Sequence, residues 1–287
     1  MNVAIIGARG QLGRELVKVF GPGCIPLDVG EVDICEPVRL REALGACGPD
    51  IVINTAAFHN VPECEKSPDR AFAVNAVGVK NLRDACLGIG SGLVQVSTDY
   101  VFDGTKGAPY TEEDAPGPVN TYGVSKLAGE FFARQVPVHH VIRLSSLFGI
   151  AGSVGKGGAN FVKLMLAAGR TKDRVSVSSN IVSSPTYAVD AAVRIREIVE
   201  SGAPPGIYHV SNAGACSWHD FAAEIFRRIG ASIRLEMRVE TPELEGGLRR
   251  PLNTSLRSLR RPPLRPWQDA LEEYLREEGA LGPSPTR

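Results

Sequence analysis

The first half of the chain alternates short apolar runs with segments whose apolar residues recur every three to four positions. Val3 to Ile6 is an apolar run rich in β-branched residues, as found in buried parallel strands. Leu12, Leu16 and Phe20 then share one helical face. The alternation predicts strands at 24–28, 51–54, 93–97 and 141–143, and helices from residue 36, over 71–85 and over 122–135. This βαβ rhythm predicts an α/β fold whose parallel sheet carries helices on both faces.

The second half of the chain is less regular. Residues 152–158 contain four glycines and predict a mobile loop. Apolar spacing predicts helices at 161–168, 188–199 and 267–276 and a strand at 207–210. Ser217 is a suitable N-cap for another helix, and the last six residues are expected to fray.

Composition excludes several classes of protein. The 287 residues include 32 Lys plus Arg and 32 Asp plus Glu, and this balance argues against bulk capture of nucleic acid or of an anionic membrane. No apolar run approaches the roughly 20 residues that span a bilayer, and the N-terminus lacks the features of a signal peptide. The cysteines lack CxxC spacing and the histidines lack HExxH spacing. We therefore expect a cytoplasmic protein with reduced thiols and no metal.

Three glycines at Gly7-x-x-Gly10-x-x-Gly13 follow the first strand and open the first helix. Gly7 allows a tight turn, Gly10 lets backbone amides approach a pyrophosphate, and Gly13 permits close packing of helix on strand. Asp28 ends the second strand, where a carboxylate can accept hydrogen bonds from an adenosine ribose. This spacing predicts a variant of the dinucleotide-binding fold. A glycine turn that serves packing alone, with a solvated Asp28, remains the alternative.

The second motif is Tyr122-x-x-x-Lys126, whose members share one helical face. A lysine beside a phenol lowers the pKa of the phenol from about 10 and makes it a usable acid at neutral pH. Thr98 ends the fourth strand, at the sheet edge where ligands bind in open α/β folds. A hydroxyl there can hold a carbonyl oxygen while the tyrosine protonates it. A surface Tyr and Lys pair is the simpler alternative.

These motifs, in this order, resemble the extended branch of the short-chain dehydrogenase/reductase superfamily. Further matches narrow the resemblance: NTAA at 54–57, STDYVFDG at 97–104, YGVSKLAGE at 122–130, RLS at 143–145, NFV at 160–162 and RP at 250–251. Together they are similar to the dTDP-4-dehydrorhamnose reductases, and the similarity covers nearly the whole chain. The pair formed by STDYVFDG and YGxSKLxGE is its most specific part.

The resemblance implies a Rossmann-type doubly wound parallel sheet with a smaller C-terminal lobe that binds substrate. Residues 1–145, with 187–211 returning to the sheet, would form the NAD(P)-binding domain, and residues 146–186 and 212–287 the substrate lobe. The implied activity is reduction of the 4-keto group of a nucleotide-linked deoxysugar, from dTDP-4-dehydrorhamnose to dTDP-L-rhamnose. The implied cofactor is NADH or NADPH, and the implied assembly is a monomer or a homodimer.

The resemblance also implies site residues. Tyr122 would be the general acid, Lys126 its partner and ribose anchor, and Thr98 the hydroxyl that orients the carbonyl. Beside Tyr122 and Lys126, the cofactor would contact Gly7, Gly10, Gln11, Leu12 and Gly13 at the pyrophosphate, Asp28 at the ribose, Asp33 and Ile34 at the adenine, and Ala56, Ala57, Asn75 and Ser97 along the groove. The nucleotide sugar would contact Asp99, Tyr100, Asn160 and Arg250. The Arg250 guanidinium suits a diphosphate, although it also fits a solvated turn.

Three departures from the family pattern matter. One follows the alanine loop, where the family commonly has Val-Asp-x-Ala-Glu and this chain has Val61-Pro62-Glu63-Cys64-Glu65. Ser146 stands where the family often has Trp, which leaves the exact sugar open. Asn180-Ile181 replaces an Asp-Gln pair linked in some relatives to a metal, so we predict none. A sugar-nucleotide 4-epimerase or 4,6-dehydratase is the runner-up, and a catalytically silent regulatory subunit that resembles the reductases is a third possibility.

Overall fold

The computed structural model describes residues 1–241 and 247–281. In chain order the strands are β1 (Val3–Ile6), β2 (Cys24–Leu27), β3 (Ile51–Asn54), β4 (Gly92–Thr98), β5 (His139–Leu144), β6 (Leu147–Phe148), β7 (Arg174–Ser178), β8 (Val182–Ser183), β9 (Thr186–Tyr187), β10 (Gly206–His209), β11 (Cys216–Ser217) and β12 (Arg234–Arg238). The helices are α1 (Gln11–Phe20), α2 (Pro37–Cys47), α3 (Val61–Lys66), α4 (Pro68–Phe72), α5 (Gly78–Ile89), α6 (Thr121–Ala133), α7 (Phe161–Thr171), α8 (Ala188–Glu200), α9 (Trp218–Ile229) and α10 (Trp267–Glu277).

Six strands form one parallel sheet in the order β10-β5-β4-β3-β1-β2. The two faces of β1 show why its residues are uniformly apolar. Val3 and Ile5 join a buried cluster that includes residues of α1 and α8. Ala4 and Ile6 join a second cluster that includes residues of α2, α5 and α6. Helices therefore cover both faces of the sheet, and the predicted α/β class is confirmed.

A separate buried cluster organises the C-terminal part of the chain. Phe148, Val162, Phe221, Trp267 and Tyr274 meet in it, contributed by β6, α7, α9 and α10. Three short strand pairs, β7 with β12, β8 with β11 and β6 with β9, accompany these helices. We propose that the two lobes follow the sheet clusters and this cluster, with the boundaries predicted above.

Most predicted elements lie within a few residues of the observed ones. The stretch predicted as one helix over 71–85 contains a π-helical segment, Ala73–Val77, between α4 and α5. Strands β7 and β12 and the short elements β6, β8, β9, β11 and α3 were not predicted. Strands β7 and β12 mix polar and apolar residues and give no continuous apolar run. The predicted fraying at 282–287 lies outside the described residues. Within the described ranges, no helix combines the length and the apolar character needed to cross a bilayer.

Candidate active site

The carboxyl ends of β1, β3 and β4 lie side by side at one edge of the sheet, because these strands are parallel neighbours. The glycine turn follows β1, the Ala56-Ala57 loop follows β3, and Thr98 ends β4. Ligands of open α/β sheets bind at this edge. The fold therefore brings together the motifs that the sequence singles out.

The glycine turn has the shape that a dinucleotide pyrophosphate requires. Gly7 has a φ of 78°, and a Cβ on it would lie 2.6 Å from Thr55 Oγ1. A Cβ on Gly13 would lie 2.1 Å from the Gly7 carbonyl oxygen, so only glycine lets α1 pack this closely. Gly10 is the N-cap of α1 and provides no side-chain cap. The first backbone amides of α1 are thus available to an anion, and this turn fits the predicted cofactor.

The residues predicted at the adenosine end are held by backbone contacts. Asp28 accepts hydrogen bonds from the amides of Arg9 (2.7 Å) and Val29 (2.9 Å). Asp33 accepts one from the amide of Cys35 at 2.8 Å. Ile34 and Leu12 have buried side chains that pack in the two sheet clusters. At these two positions only the backbone is left to face a cofactor.

Along the groove, Asn75 and Ser97 have internal partners. Asn75 accepts from the amide of Phe58 and donates to its carbonyl, both at 2.9 Å, and it also donates to Ser125 Oγ. It therefore shapes the loop that carries Ala56 and Ala57. Ser97 Oγ donates to Glu130 Oε1 at 2.5 Å. The direct cofactor contacts predicted for both side chains stay predictions.

Tyr122 and Lys126 lie on the face of α6 that packs against β4. The Tyr122 hydroxyl lies close to Thr98, which lowers the pKa of Tyr122, but burial has the larger effect and raises this pKa above its usual value. The expectation that Lys126 lowers this pKa is wrong for this structure, because burial outweighs the opposing effects. Lys126 Nζ donates to the Val96 carbonyl at 2.7 Å. Lys126 is 4% exposed, and burial lowers its pKa to about 8, an effect that Glu130 opposes.

Asp99 explains which way the Thr98 hydroxyl points. Its carboxylate is 4% exposed and accepts hydrogen bonds from Thr98 (3.0 Å), Ser145 (2.8 Å) and Thr254 (2.5 Å). Burial raises the pKa of Asp99 to about 6, despite these three hydroxyl donors. A hydroxyl has one proton, so Thr98 donates to Asp99, and its oxygen accepts from the Tyr100 amide at 3.2 Å. The predicted contact between Asp99 and the sugar stays a prediction, since both carboxylate oxygens are engaged internally.

The other residues predicted to contact the nucleotide sugar differ in how far their polar atoms are engaged by protein groups. The Tyr100 ring packs edge-on to that of Tyr122 at 5.8 Å, and burial raises the pKa of Tyr100 to about 12 while Arg250 opposes the shift. Arg250 Nε is buried without a protein partner, as expected of a guanidinium that meets a ligand. Asn160, by contrast, is engaged with protein groups through both side-chain atoms.

Three residues that support the site were not predicted. Glu65 accepts hydrogen bonds from the amide and hydroxyl of Thr121, at 2.6 and 2.7 Å, and so fixes the start of α6. Glu130 and Arg143 form a buried ion pair behind Lys126. The spacing of Glu130 four residues after Lys126 is the one signal that could have indicated it. Within residues 1–241 and 247–281, no three metal-binding side chains cluster, and the absence of a metal stays a prediction.

Comparisons with known proteins identify the family. A family model described as the RmlD substrate binding domain matches residues 1–279. The spore coat polysaccharide biosynthesis protein SpsK of Bacillus subtilis is 38% identical, with 97% of this chain and 98% of that protein covered. A dTDP-4-dehydrorhamnose reductase of Streptomyces griseus is 37% identical over 79% of this chain and 76% of its own length.

One solved structure extends the comparison to the fold. The dTDP-4-dehydrorhamnose reductase of Bacillus anthracis, solved in complex with NADP, is 33% identical with a TM-score of 0.89, covering 96% of this chain and 100% of that chain. The predicted reductase family and the Rossmann-type sheet are both confirmed. The family-model match over nearly the full length, together with these relatives, shows that the chain belongs to the RmlD substrate binding domain family.

Proposed function

We propose that this chain is an NAD(P)H-dependent reductase that converts dTDP-4-dehydrorhamnose to dTDP-L-rhamnose. The observation that carries the proposal is the position of Tyr122, which packs against Tyr100 and lies beside Thr98 at the end of β4, on the same edge of the sheet as the glycine turn. Membership of the reductase family supports the same activity, and so does the NADP bound by the Bacillus anthracis relative.

The roles of the chain's own residues follow from the geometry. Tyr122 is the general acid that gives its proton to the keto oxygen, and burial keeps the phenol protonated at neutral pH. Lys126 supplies a buried ammonium beside it that holds ribose hydroxyls. Thr98 orients the keto oxygen, and its hydrogen bond to Asp99 holds its side chain at the end of β4.

The cofactor fits the site through the glycine turn and the loop after β3. NADH or NADPH supplies the hydride when bound. Gly7, Gly10 and Gly13 hold its pyrophosphate, Asp28 its ribose, and Ala56 and Ala57 line its path. Tyr100 and Arg250 lie on the nucleotide-sugar side, where the guanidinium is suited to the diphosphate.

The deciding experiment is a spectrophotometric assay of NADH and NADPH oxidation against a small panel of dTDP-4-keto sugars. Oxidation with dTDP-4-dehydrorhamnose, lost in Tyr122→Phe, supports the proposal. NAD⁺ retained through purification, with no net oxidation, would favour the 4-epimerase instead. Nucleotide binding without turnover of any keto sugar would favour the silent regulatory subunit.

We also infer a cytoplasmic enzyme that acts as a monomer or a homodimer. The balanced charge of the chain supports a protein without a nucleic-acid or membrane partner. Light scattering on the purified protein distinguishes the two assemblies, and cell fractionation tests the compartment.

A further inference from the structure

The side chain of Gln11 joins the cofactor turn to the C-terminal lobe. Gln11 is the first residue of α1, directly after the N-cap Gly10. Its Nε2 donates to the Leu147 carbonyl at 3.0 Å, and its Oε1 accepts from Asn160 Nδ2 at 3.0 Å. Both partners belong to the lobe predicted to bind the sugar. One side chain therefore bridges the two halves of the site.

Asn160 carries this link into the C-terminal lobe. It is 7% exposed, and its Nδ2 also donates to the Gly149 carbonyl at 2.8 Å. Its Oδ1 caps α7 by accepting from the Lys163 amide at 2.9 Å. The Asn160 side chain thus links the two ends of the 149–160 segment and caps the N-terminus of α7.

The 149–160 segment also rests on the second cofactor loop. Ser153 Oγ lies 2.7 Å from Nε2 of His59, which follows the Ala56-Ala57 loop. A Cβ on Gly155 would lie 2.8 Å from the His59 ring. The segment therefore contacts the residues after β1 and those after β3, on either side of the proposed cofactor groove.

The contact at Gln11 is tightly packed. A Cβ on Gly149 would lie 2.9 Å from Ala188 Cβ and 3.1 Å from Gln11 Cγ. There is little room for Gln11 to move without moving the 147–149 backbone. The start of α1 and the start of α7 are therefore joined by direct contacts.

We propose that Gln11 and Asn160 are positioning residues that couple binding of the dinucleotide to binding of the nucleotide sugar. This inference rests on the proposed function, which supplies both ligands. Because coupling between two sites is reciprocal, each ligand tightens the binding of the other. Gln11 thus acts through the lobe contact in addition to any contact its backbone makes with the pyrophosphate.

The test measures the dissociation constant of dTDP by calorimetry, with and without saturating NADP⁺. In the wild type we expect saturating NADP⁺ to lower the dissociation constant of dTDP by at least about fivefold. Asn160→Ser keeps a good N-cap for α7 but is too short to reach Gln11 or Gly149, so the ratio should fall to about one. Asn60→Ser is the matched control. It makes the same substitution at the N-cap of α3, where the Asn60 side chain accepts from the Glu63 amide. This variant should keep the wild-type ratio of the two dissociation constants.

A second variant guards against misfolding of the first. Gln11→Met keeps the length of the side chain, removes both bridging bonds and leaves the cap of α7 intact, so it should lose the coupling to the same extent. The double variant should then lose no more than either single one. A wild-type ratio of one, or a wild-type ratio in folded Gln11→Met, overturns the coupling. Turnover of dTDP-4-dehydrorhamnose by the wild type is measured separately, and its absence overturns the proposed function.

Discussion

Glu130 and Arg143 form an ion pair in which each side chain is only 2% exposed. Arg143 donates through Nε to Oε1 at 2.9 Å and through Nη2 to Oε2 at 2.7 Å. Glu130 lies one turn after Lys126 on α6, and Arg143 lies on β5. The pair therefore holds the helix that carries Tyr122 and Lys126 against the sheet.

Removing one member of this pair should destabilise the protein severely. Arg143→Met leaves the Glu130 carboxylate buried without its cation, which typically costs about 3–5 kcal/mol of unfolding free energy. Urea denaturation measures the loss. The double variant Glu130→Gln with Arg143→Met removes both charges of the pair and should regain much of the loss. A loss below about 1 kcal/mol in the single variant would show that water or a rearranged side chain compensates the charge.

The pH dependence of activity should reflect Lys126. Burial lowers its pKa to about 8, so the ammonium is lost as the pH rises above that value. We expect kcat/KM for the cofactor, which reports groups of the free enzyme, to fall above about pH 8. The stability effect has the opposite sign. The burial penalty on the charged lysine is fully present below pH 8 and is relieved as the pH rises toward 10.5, the ordinary value.

A substitution at Lys126 distinguishes its titration from that of other groups in the enzyme. Lys126→Arg keeps a positive charge throughout the range, so any activity that the variant retains should lack the decline near pH 8. A wild-type profile that stays level to pH 10 would rule out Lys126 as the group that titrates.

Tyr122→Phe removes the proton donor and little else. The variant should keep its fold and its affinity for NADP⁺, because the ring still packs against Tyr100. Its turnover should fall by roughly 10²–10⁴-fold, the usual contribution of a general acid. Single-turnover rates and circular dichroism check the two parts. Turnover near the wild-type rate in a folded variant would remove Tyr122 from the mechanism.

The sequence predicts position along the chain better than side-chain direction. The buried strands were predicted because their residues are apolar on both faces. Ser217 was predicted as an N-cap from its residue type, and this is confirmed, because its hydroxyl accepts from the Asp220 amide. The side-chain directions of Ser97 and Asn160 depend on distant residues. Glu130 accepts a hydrogen bond from Ser97, and Gln11 accepts one from Asn160.

Arg143 shows the other limit of sequence reasoning. It lies between the apolar residues Ile142 and Leu144 of β5, and its partner Glu130 lies 13 residues earlier on a different element. Spacing rules for helices and strands do not connect the two positions. The buried ion pair forms only because α6 packs against β5 and brings Glu130 next to Arg143.

Cofactor preference should depend on Asp28. Its carboxylate is tied to the amides of Arg9 and Val29, and it faces the ribose end of the proposed groove. A negative charge there disfavours a 2′-phosphate, so we expect the wild type to prefer NADH. Asp28→Asn keeps an acceptor oxygen and removes the charge. The ratio of kcat/KM for NADPH to that for NADH should then rise by about tenfold.

Arg9 favours NADPH, which is the opposite of the effect expected of Asp28. Its guanidinium pairs with Glu31 at 3.1 Å, and both side chains are substantially exposed. Glu31→Gln frees Arg9 to meet a 2′-phosphate, but an exposed pair contributes little, so the shift toward NADPH should be smaller than for Asp28→Asn. A strong wild-type preference for NADPH would show that Arg9 rather than Asp28 sets the choice.

Ser146 is the place where sugar affinity should respond to substitution. It follows β5 with a φ of 44°, the one positive φ outside glycine in residues 1–241 and 247–281, and its Oγ donates to Ser183 at 2.7 Å. Phe148, two residues later, does not supply the flat aromatic surface that a Trp at position 146 would present, because Phe148 is buried in the C-terminal cluster and stacks on Tyr187.

Ser146→Trp restores a flat apolar surface beside the sugar. Burying part of an aromatic ring contributes about 1–2 kcal/mol, which corresponds to a KM for dTDP-4-dehydrorhamnose lower by roughly tenfold. The positive φ strains any residue with a Cβ, so serine already bears that strain and the thermal midpoint should change little. Ser146→Ala, which removes only the hydroxyl, should leave KM within about twofold. A Ser146→Trp variant that folds but binds the sugar more weakly would show that the site is already filled, and the proposal that the wild type is a reductase would still stand.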